Sequence, residues 1–445
     1  LIEKIATLFL PFITRTVFIS ILGGEYLGLN SLFTSILQVL SISELGFGSA
    51  IVFSMYRPIE ENDNEMLCAL INVYRKIYLI VGTIILVSGL IVTPFLPLLI
   101  KGSHPADINI YVLYLIFLFN TVIGYFLWGY KQALFSAHQR NDLVSKRNTI
   151  VAIFAEIAKI IVLVVFRNYY MYVILIPLST ILTNVLNSIL ANKIYPDIKC
   201  RGNISDEMKN GLKKRIAGLV SFKIYNVVFS SVDAIVISAF LGLMPLARYN
   251  NYYFVQTAVV GFLTILTSSI TAGIGSKMVT NTRDQNYEDF KRCTFVNGWI
   301  VSWCSICLLC LYQPFITIWA GKNFLLPFKT MVLMVIYFFL PRISTMTFTY
   351  REAAGLWWED RLRPLVSTVV NLVMNIGLVK LIGMDGVILS TLFCSLFINI
   401  PWGSKILFKN YFKRSTTEYF KQLFFYTVAT VMAGGLTLFF CKYVS

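Results

Sequence analysis

The sequence predicts an all-α integral membrane protein, and three observations predict it. Of its 445 residues, 57% are hydrophobic and only 13% are charged, where soluble domains carry about 25% charged residues. The mean hydropathy of +0.71 means more apolar surface than one aqueous core can hide. The apolar residues also gather into stretches that reach the roughly 20 residues a bilayer-spanning helix requires, and the loops between them are too short for a folded extramembrane domain.

In chain order these spans fall near 1–22, 28–55, 77–99, 110–135, 148–166, 171–192, 216–241, 247–275, 294–317, 325–349, 364–382, 385–408 and 421–441, about thirteen in all. The longest polar stretch, Lys193 to Arg215, carries Lys199, Arg201, Lys209, Lys213 and Lys214 and separates the sixth span from the seventh. The expected organisation is an N-terminal six-helix lobe over 1–192, a basic cytoplasmic linker over 193–215 and a C-terminal six-helix lobe over 216–408. A cytoplasmic segment and the thirteenth helix follow over 409–445. The chain starts at Leu1 inside its first apolar run, which reads as a truncated start.

Orientation follows from the loops. With the N-terminus in the cytoplasm, loops 57–76, 131–147, 193–215, 277–292, 351–363 and 405–421 hold about 26 Lys and Arg, and the opposite set holds about 7, among them Lys101, Arg167, Lys322 and Lys380. Cytoplasmic loops carry such an excess. The net charge of +16 is therefore mostly topogenic and lies against anionic inner-leaflet lipid. Membrane lipids are expected partners and nucleic acid is not. The place is the cytoplasmic membrane of the cell.

Eight cysteines are scattered, mostly in or beside apolar runs. Cys304, Cys307 and Cys310 form a C-x-x-C-x-x-C run, but no His or carboxylate joins them in their span, so packing is the better reading than metal binding. The two histidines, His104 and His138, both fall in loops. No metal and no cofactor are expected.

The chemistry lies in charges within the spans: Arg15, Glu44, Glu156, Lys159, Lys223, Asp233 and Arg342. Each costs about 2.5–3.5 kcal/mol near a helix centre on insertion scales. A set of them points to a polar interior through which something hydrophilic passes. Lys223, Asn226, Ser230 and Asp233 recur at helical spacing and draw one polar stripe on the seventh span. Asn30, Thr34, Gln38 and Ser41 do the same on the second, extended by Glu44. Arg342 follows Pro341, whose ring interrupts the tenth helix. The halves also echo each other: Ile19-Ser20-Ile21-Leu22-Gly23 resembles Ile237-Ser238-Ala239-Phe240-Leu241-Gly242, and anchoring on Ile-Ser sets Arg15 opposite Asp233, a sign of transporter repeats.

Three readings of these charges stand side by side. Glu156 and Lys159, an i,i+3 pair, suit a structural ion pair that joins helices. Glu44 and Asp233 suit ion coupling or an inter-lobe contact, since a carboxylate can carry a proton or bind Na⁺. Arg15, Lys223 and Arg342, with Asn226, suit an anionic substrate, because the arginine fork stays charged and bonds phosphate in two places. Four cations against three carboxylates leave a slight positive excess.

Several stretches resemble the polysaccharide repeat-unit flippases (Wzx-type sugar translocases) of the multidrug/oligosaccharidyl-lipid/polysaccharide (MOP) exporter superfamily. In the first half they are Phe12-Ile13-Thr14-Arg15-Thr16-Val17-Phe18, Leu22 to Gly28, Glu44-Leu45-Gly46-Phe47-Gly48-Ser49-Ala50-Ile51 and Tyr56-Arg57-Pro58. In the second half they are Asp233 to Ser238, Leu241-Gly242, Tyr249-Asn250-Asn251-Tyr252, the run Arg351 to Arg361, Asn371-Leu372-Val373 and Gly383 to Val387. Ser390-Thr391 replaces the Gly-Thr usual after the last of these. The resemblance spans essentially the whole chain. It implies a MATE-like fold with two six-helix bundles in a V, plus a C-terminal helix or helices. The family has fourteen helices as a rule, so a fourteenth is expected to be missing here.

The function it implies is the flipping of undecaprenyl-diphosphate-linked oligosaccharide across the cytoplasmic membrane, by alternating access through a polar central cavity, for capsule, O-antigen or cell-wall assembly. Arg15 is then the natural ligand of the diphosphate, and the polysaccharide polymerase and chain-length machinery become further partners. The rival readings are a MATE-type cation-coupled multidrug exporter and a peptidoglycan lipid-precursor flippase. An enzyme is not expected: the extracytoplasmic loops are short and offer few acids besides Glu25, Asp107 and Asp385.

Overall fold

The structure, a computed structural model, describes residues 2–41, 47–102 and 104–444. Among these residues it is built of helices, without strands. Eight helices are long and apolar enough to cross a membrane, and up to ten if each of two bent pairs makes one span. By packing, the chain divides into two compact units, Leu1–Leu243 and Met244–Ser445. The helix carrying Lys223 and Asp233, which the sequence expectation grouped with the second lobe, packs with the first unit.

The first unit opens with α1 (Ile2–Ile21) and α2 (Gly24–Leu40). The joint between them is Gly23, at φ +94° and ψ −175°, a conformation that suits glycine because it has no Cβ. The predicted span 28–55 falls on α2 and on α3 (Phe47–Glu60); α4 (Asn64–Val92) follows, its first turn capped by Asp63, whose carboxylate accepts the Met66 N–H at 2.9 Å. A 3₁₀ turn over Thr93–Leu99, containing Pro94 and Pro97, ends that span. Next come α5 (Ile110–Phe126) and α6 (Gln132–Ala137), bent 49° apart, then α7 (Asn141–Phe166), α8 (Tyr169–Ile194) and α9 (Asp206–Leu241). In this unit α1 packs on α7, α7 on α8, α8 on α5, and α2 on α9.

The region read as a linker is not a loose tether. Ile204 and Leu212 are buried in an apolar cluster with Ile51, Met55, Leu70 and Leu134. Asn72 donates to the Gly202 carbonyl at 2.8 Å, and the Cys68 sulfur accepts the Lys199 N–H at 3.1 Å. Polarity hid this, because the apolar residues that dock the segment are few and spaced among lysines.

α9 closes on Gly242, at φ +100° and ψ −177°, the same backbone state as Gly23. The sequence echo therefore has a structural counterpart: each copy ends a helix on a glycine and starts the next at the following residue. Counted back from the glycines, Arg15 lies eight residues upstream and Asp233 nine, so this anchor sets Ala234 opposite Arg15 where the Ile-Ser anchor sets Asp233. Gly28 is fixed by contact: a Cβ there would lie 2.4 Å from the Leu243 carbonyl oxygen, so the backbones of α2 and the α9 exit meet only through a glycine.

The second unit contains most of α10 (Leu243–Thr280), then α11 (Arg283–Trp319), α12 (Phe328–Ile343), α13 (Thr345–Ala353), α14 (Leu362–Ile382), α15 (Met384–Phe393), α16 (Ile400–Leu407) and α17 (Thr417–Val444). π-Helical turns over Cys394–Asn399 and Phe408–Phe412 flank α16. The break expected at Pro341 lies between α12 and α13, and its polar groups are met: Asn297 of α11 donates to the Arg342 carbonyl at 2.9 Å, and Ser344 donates to the Pro341 carbonyl at 3.1 Å. In hydrocarbon such groups have no water to turn to.

Helices in lipid gain little from the hydrophobic effect when they associate; packing and polar contacts hold them together. Tyr252 of the Tyr249–Tyr252 motif shows how. It is fully buried, donates to Gln313 at 2.9 Å and accepts the Leu326 N–H at 3.2 Å. Between α14 and α15, Asn371 donates to the Thr391 hydroxyl at 3.0 Å, and Ser390 donates to Asn375. The Ser390-Thr391 variation thus sits in a buried hydrogen-bonded ladder.

Candidate functional site

Three of the sequence-predicted charges come together in the first unit. Arg15 is on α1, and Glu156 and Lys159 are one turn apart on α7. Lys159 Nζ lies 2.8 Å from Glu156 Oε1, and both side chains are largely shielded, at 14% and 19% exposure. Tyr172 of α8 links the pair to the arginine: it is within electrostatic reach of both Glu156 and Arg15, and its ring centroid is 5.9 Å from Lys159 Nζ. Phe18, one turn beyond Arg15, meets Tyr172 edge-on at 5.0 Å and Tyr169 at 5.6 Å. Asn168 caps α8 by accepting the Met171 N–H at 3.2 Å, which fixes where Tyr169 and Tyr172 project.

Charge balance gives this cluster its character. Glu156 and Lys159 neutralise each other at hydrogen-bond distance. With Arg15 the cluster gathers two cations and one carboxylate among the described residues. Thr14 and Tyr169 add buried hydroxyls that have no hydrogen-bond partner among the described residues. Unmet polar groups inside a membrane protein are costly and call for a partner.

The other predicted residues lie elsewhere. On α9, Lys223 and Asn226 are exposed while Asp233 is 2% exposed, so the stripe runs from an open end to a packed one. α9 bends by 40° at Ser230, between Ser221–Phe229 and Ser231–Leu241. Just past the bend, Ser231 donates to Gln38 of α2 at 2.9 Å, joining the two polar stripes seen in the sequence. Arg342 stands half-buried at the end of α12 in the second unit. Glu44 lies outside the described residues. Cys304, Cys307 and Cys310 are all half-buried on α11, and among the described residues no group of three His, Cys, Asp or Glu side chains could hold a metal ion.

Sequence reasoning missed two things. One is the aromatic group packed one turn beyond Arg15, where Phe18 meets Tyr169 and Tyr172; the signal was available in Phe18 at i+3 and in the Tyr169-Tyr170-Met171-Tyr172 run. The other is a charged cluster in the second unit. Stretch 351–363 was read as a basic cytoplasmic loop, but Arg351, Asp360 and Arg363 are all buried, at 2%, 0% and 3% exposure. Asp360 accepts from Arg351, and from Arg363 at 2.7 Å through both carboxylate oxygens. Arg363 also donates to Asn399 in the π-helical turn at 2.7 Å, and Phe348 lies under both guanidinium groups at 5.2 and 5.1 Å.

A family model described as polysaccharide biosynthesis protein matches residues 1–272, well over half of the chain. The chain belongs to the polysaccharide biosynthesis protein family. The matched region includes every charge of the α1–α7–α8 cluster. Among curated proteins, none matches this sequence. Solved structures give the fold. An inward-facing multidrug resistance MATE family transporter of the MOP superfamily superposes with TM-score 0.66 at 14% identity, covering 89% of this chain and 93% of that one. The lipid II flippase MurJ, in an inward closed conformation, gives 0.62 at 15% identity, covering 100% and 98%. An outward-facing MATE transporter gives 0.58 at 12%, covering 100% and 95%. This polysaccharide biosynthesis family member is a multi-pass membrane protein with the MOP transporter fold.

Proposed function

We propose that the protein flips an undecaprenyl-diphosphate-linked oligosaccharide across the cytoplasmic membrane, N-terminus inside, to supply surface polysaccharide assembly. The observation that supports the reading is the charged cluster of the first unit: Arg15 of α1 and the Glu156–Lys159 ion pair of α7, with Tyr172 of α8 within electrostatic reach of both Arg15 and Glu156, two cations to one carboxylate among the described residues. A diphosphate answers the guanidinium through bidentate, charge-assisted hydrogen bonds. Lys223 and Asn226, on the exposed part of α9, and Arg342 in the second unit are further cargo contacts. Glu44 and Asp233 couple an ion or hold the lobes in register, and Glu156–Lys159 orients the arginine's surroundings. The polyprenyl tail stays in lipid while the sugars cross, so the protein does no covalent chemistry. The cargo then passes to the polysaccharide polymerase and chain-length machinery.

The test is reconstitution in vesicles with a lipid-linked oligosaccharide, measuring over time which leaflet exposes the sugar. Arg15→Ala should cut the protein-dependent rate at least about tenfold, the loss of one charge-assisted contact of about 1.5–3 kcal/mol, with protein level and melting temperature held. Equal rates for Arg15→Ala and wild type would remove Arg15 from the mechanism. No protein-dependent exposure under any ion gradient would overturn the flippase reading itself.

A further inference from the structure

A second polar site lies in the first unit, joined to the Arg15 cluster through Tyr26, which bonds Asp107 and meets Tyr169 edge-on at 5.4 Å. The loop between the 3₁₀ turn and α5 borders an open, surface-facing cavity of about 710 Å³, lined by His104, Asp107, Asn109, Tyr111 and Tyr170, with Pro97 on its apolar side. That volume falls in the range of about 300–1,000 Å³ typical of small-molecule sites. This loop belongs to the set that is poor in Lys and Arg, opposite the basic face.

Asp107, Asn109 and His104 are each anchored by one side-chain atom and keep another for a ligand. Asp107 Oδ1 accepts the Tyr26 hydroxyl at 2.6 Å, and the second carboxylate oxygen remains. Asn109 Oδ1 caps α5, accepting the Tyr111 and Val112 N–H groups at 3.0 and 3.2 Å, and its amide NH₂ remains. His104 Nδ1 sits 3.1 Å from the Pro105 carbonyl, and Nε2 remains. The Tyr170 hydroxyl accepts the Asn109 N–H at 2.7 Å, so its ring is fixed at the wall. Tyr111 stands at 41% exposure. Groups held this way are set in place before a ligand arrives, which is what a binding site needs.

The chemistry selects the ligand class. Among the described residues no Lys or Arg lines the cavity and a carboxylate does, which disfavours phosphate and other anions. A single carboxylate is too few oxygen ligands for Ca²⁺. What remains is a neutral, hydroxyl-rich molecule with an apolar face. The carboxylate accepts, the amide donates, the neutral imidazole accepts at Nε2 because Nδ1–H is held by the Pro105 carbonyl, and the tyrosine rings offer flat apolar surface with polar tips. We propose that this cavity is a saccharide-binding subsite, on the side where the cargo leaves, that holds a sugar of the oligosaccharide after transfer. Its place in transport rests on the flippase reading; the binding of a sugar does not.

The test uses the full-length protein in lipid nanodiscs and, as probe, the free oligosaccharide released by mild acid from the host cell's lipid-linked pool, followed by saturation-transfer NMR. Wild type should give a saturable signal. Tyr111→Ala and His104→Ala should each weaken it at least about tenfold while the melting temperature stays within the wild-type range. Asp107→Asn, which keeps an acceptor for Tyr26, should weaken it less than Tyr111→Ala. No saturable signal with wild type, or one that Tyr111→Ala and His104→Ala leave within about twofold, overturns the subsite. Neither result touches the flippase reading, which the vesicle experiment on wild type and Arg15→Ala decides.

Discussion

The two units hold charged clusters made from the same parts, put to opposite ends. In the second unit two arginines share one aspartate, and each guanidinium has further company: Asn399 for Arg363, and for Arg351 the Glu352 carboxylate at 3.4 Å. Counting Glu352, the charges balance, and Asp360 is wholly buried. In the first unit Glu156 bonds Lys159, and Tyr172 lies within electrostatic reach of both Glu156 and Arg15. The cluster of the second unit is a clamp, knit into one buried network. That of the first unit counts two cations to one carboxylate among the described residues, and on the flippase reading it is the one that meets the cargo. The ratio of acids to bases, more than the number of arginines, separates the two clusters.

The sharpest way to break that comparison is to remove the acceptor. Asp360→Ala strands two buried guanidinium groups and should cost about 3–5 kcal/mol, as the loss of one partner of a buried ion pair does. The expected result is a large fall in melting temperature and in recovered protein. Glu156→Gln is the matching change in the first unit and should cost less, about 1–3 kcal/mol, because the amide oxygen can still accept from Lys159. Here thermal unfolding in detergent is the readout. Should Glu156→Gln prove as damaging as Asp360→Ala, the first cluster would be a clamp as well. Arg15→Lys sharpens the same point through transport: it keeps the charge and loses the two-pronged geometry, so leaflet exposure of the cargo should fall between wild type and Arg15→Ala while stability holds.

These differences mark what was legible in the sequence. Among the described residues the predicted stretches fall mainly on helix, because a run of about 20 apolar residues has one satisfactory state in lipid. Eight to ten of these helices, not thirteen, are long and apolar enough to cross by themselves. Arg15 and the Glu156–Lys159 pair were legible because a charge in such a run stands out. The clamp was not. Arg351, Asp360 and Arg363 lie where two helices end, and a charge at a helix end looks the same whether water or protein covers it. Of the Lys and Arg counted toward the basic face, Arg351 and Arg363 belong to this buried cluster, yet the loop-by-loop excess survives without them. Tyr172 escaped for a different reason: an aromatic residue in an apolar span carries no sign of the charges it will touch, which depend on how α1, α7 and α8 pack. Similarly, nothing local in Gly28 foretold that its missing Cβ admits the Leu243 carbonyl.

Tyr172→Phe gives the smallest expected effect and tests the comparison most finely. The phenylalanine ring keeps the edge contact with Phe18 and its position beside Lys159, so folding should change by no more than about 0.5 kcal/mol. What goes is the hydroxyl, within reach of Arg15 on one side and Glu156 on the other. With it removed, the electrostatic link between the Tyr172 hydroxyl and the two charges is gone while the ring stays. A transport rate lowered by about two- to fivefold, on the order of 0.5–1 kcal/mol, with unchanged melting temperature, would mean that the cluster is tuned for a bound partner. A change in stability with no change in transport would place Tyr172 with the clamp of the second unit, as a part of the packing alone.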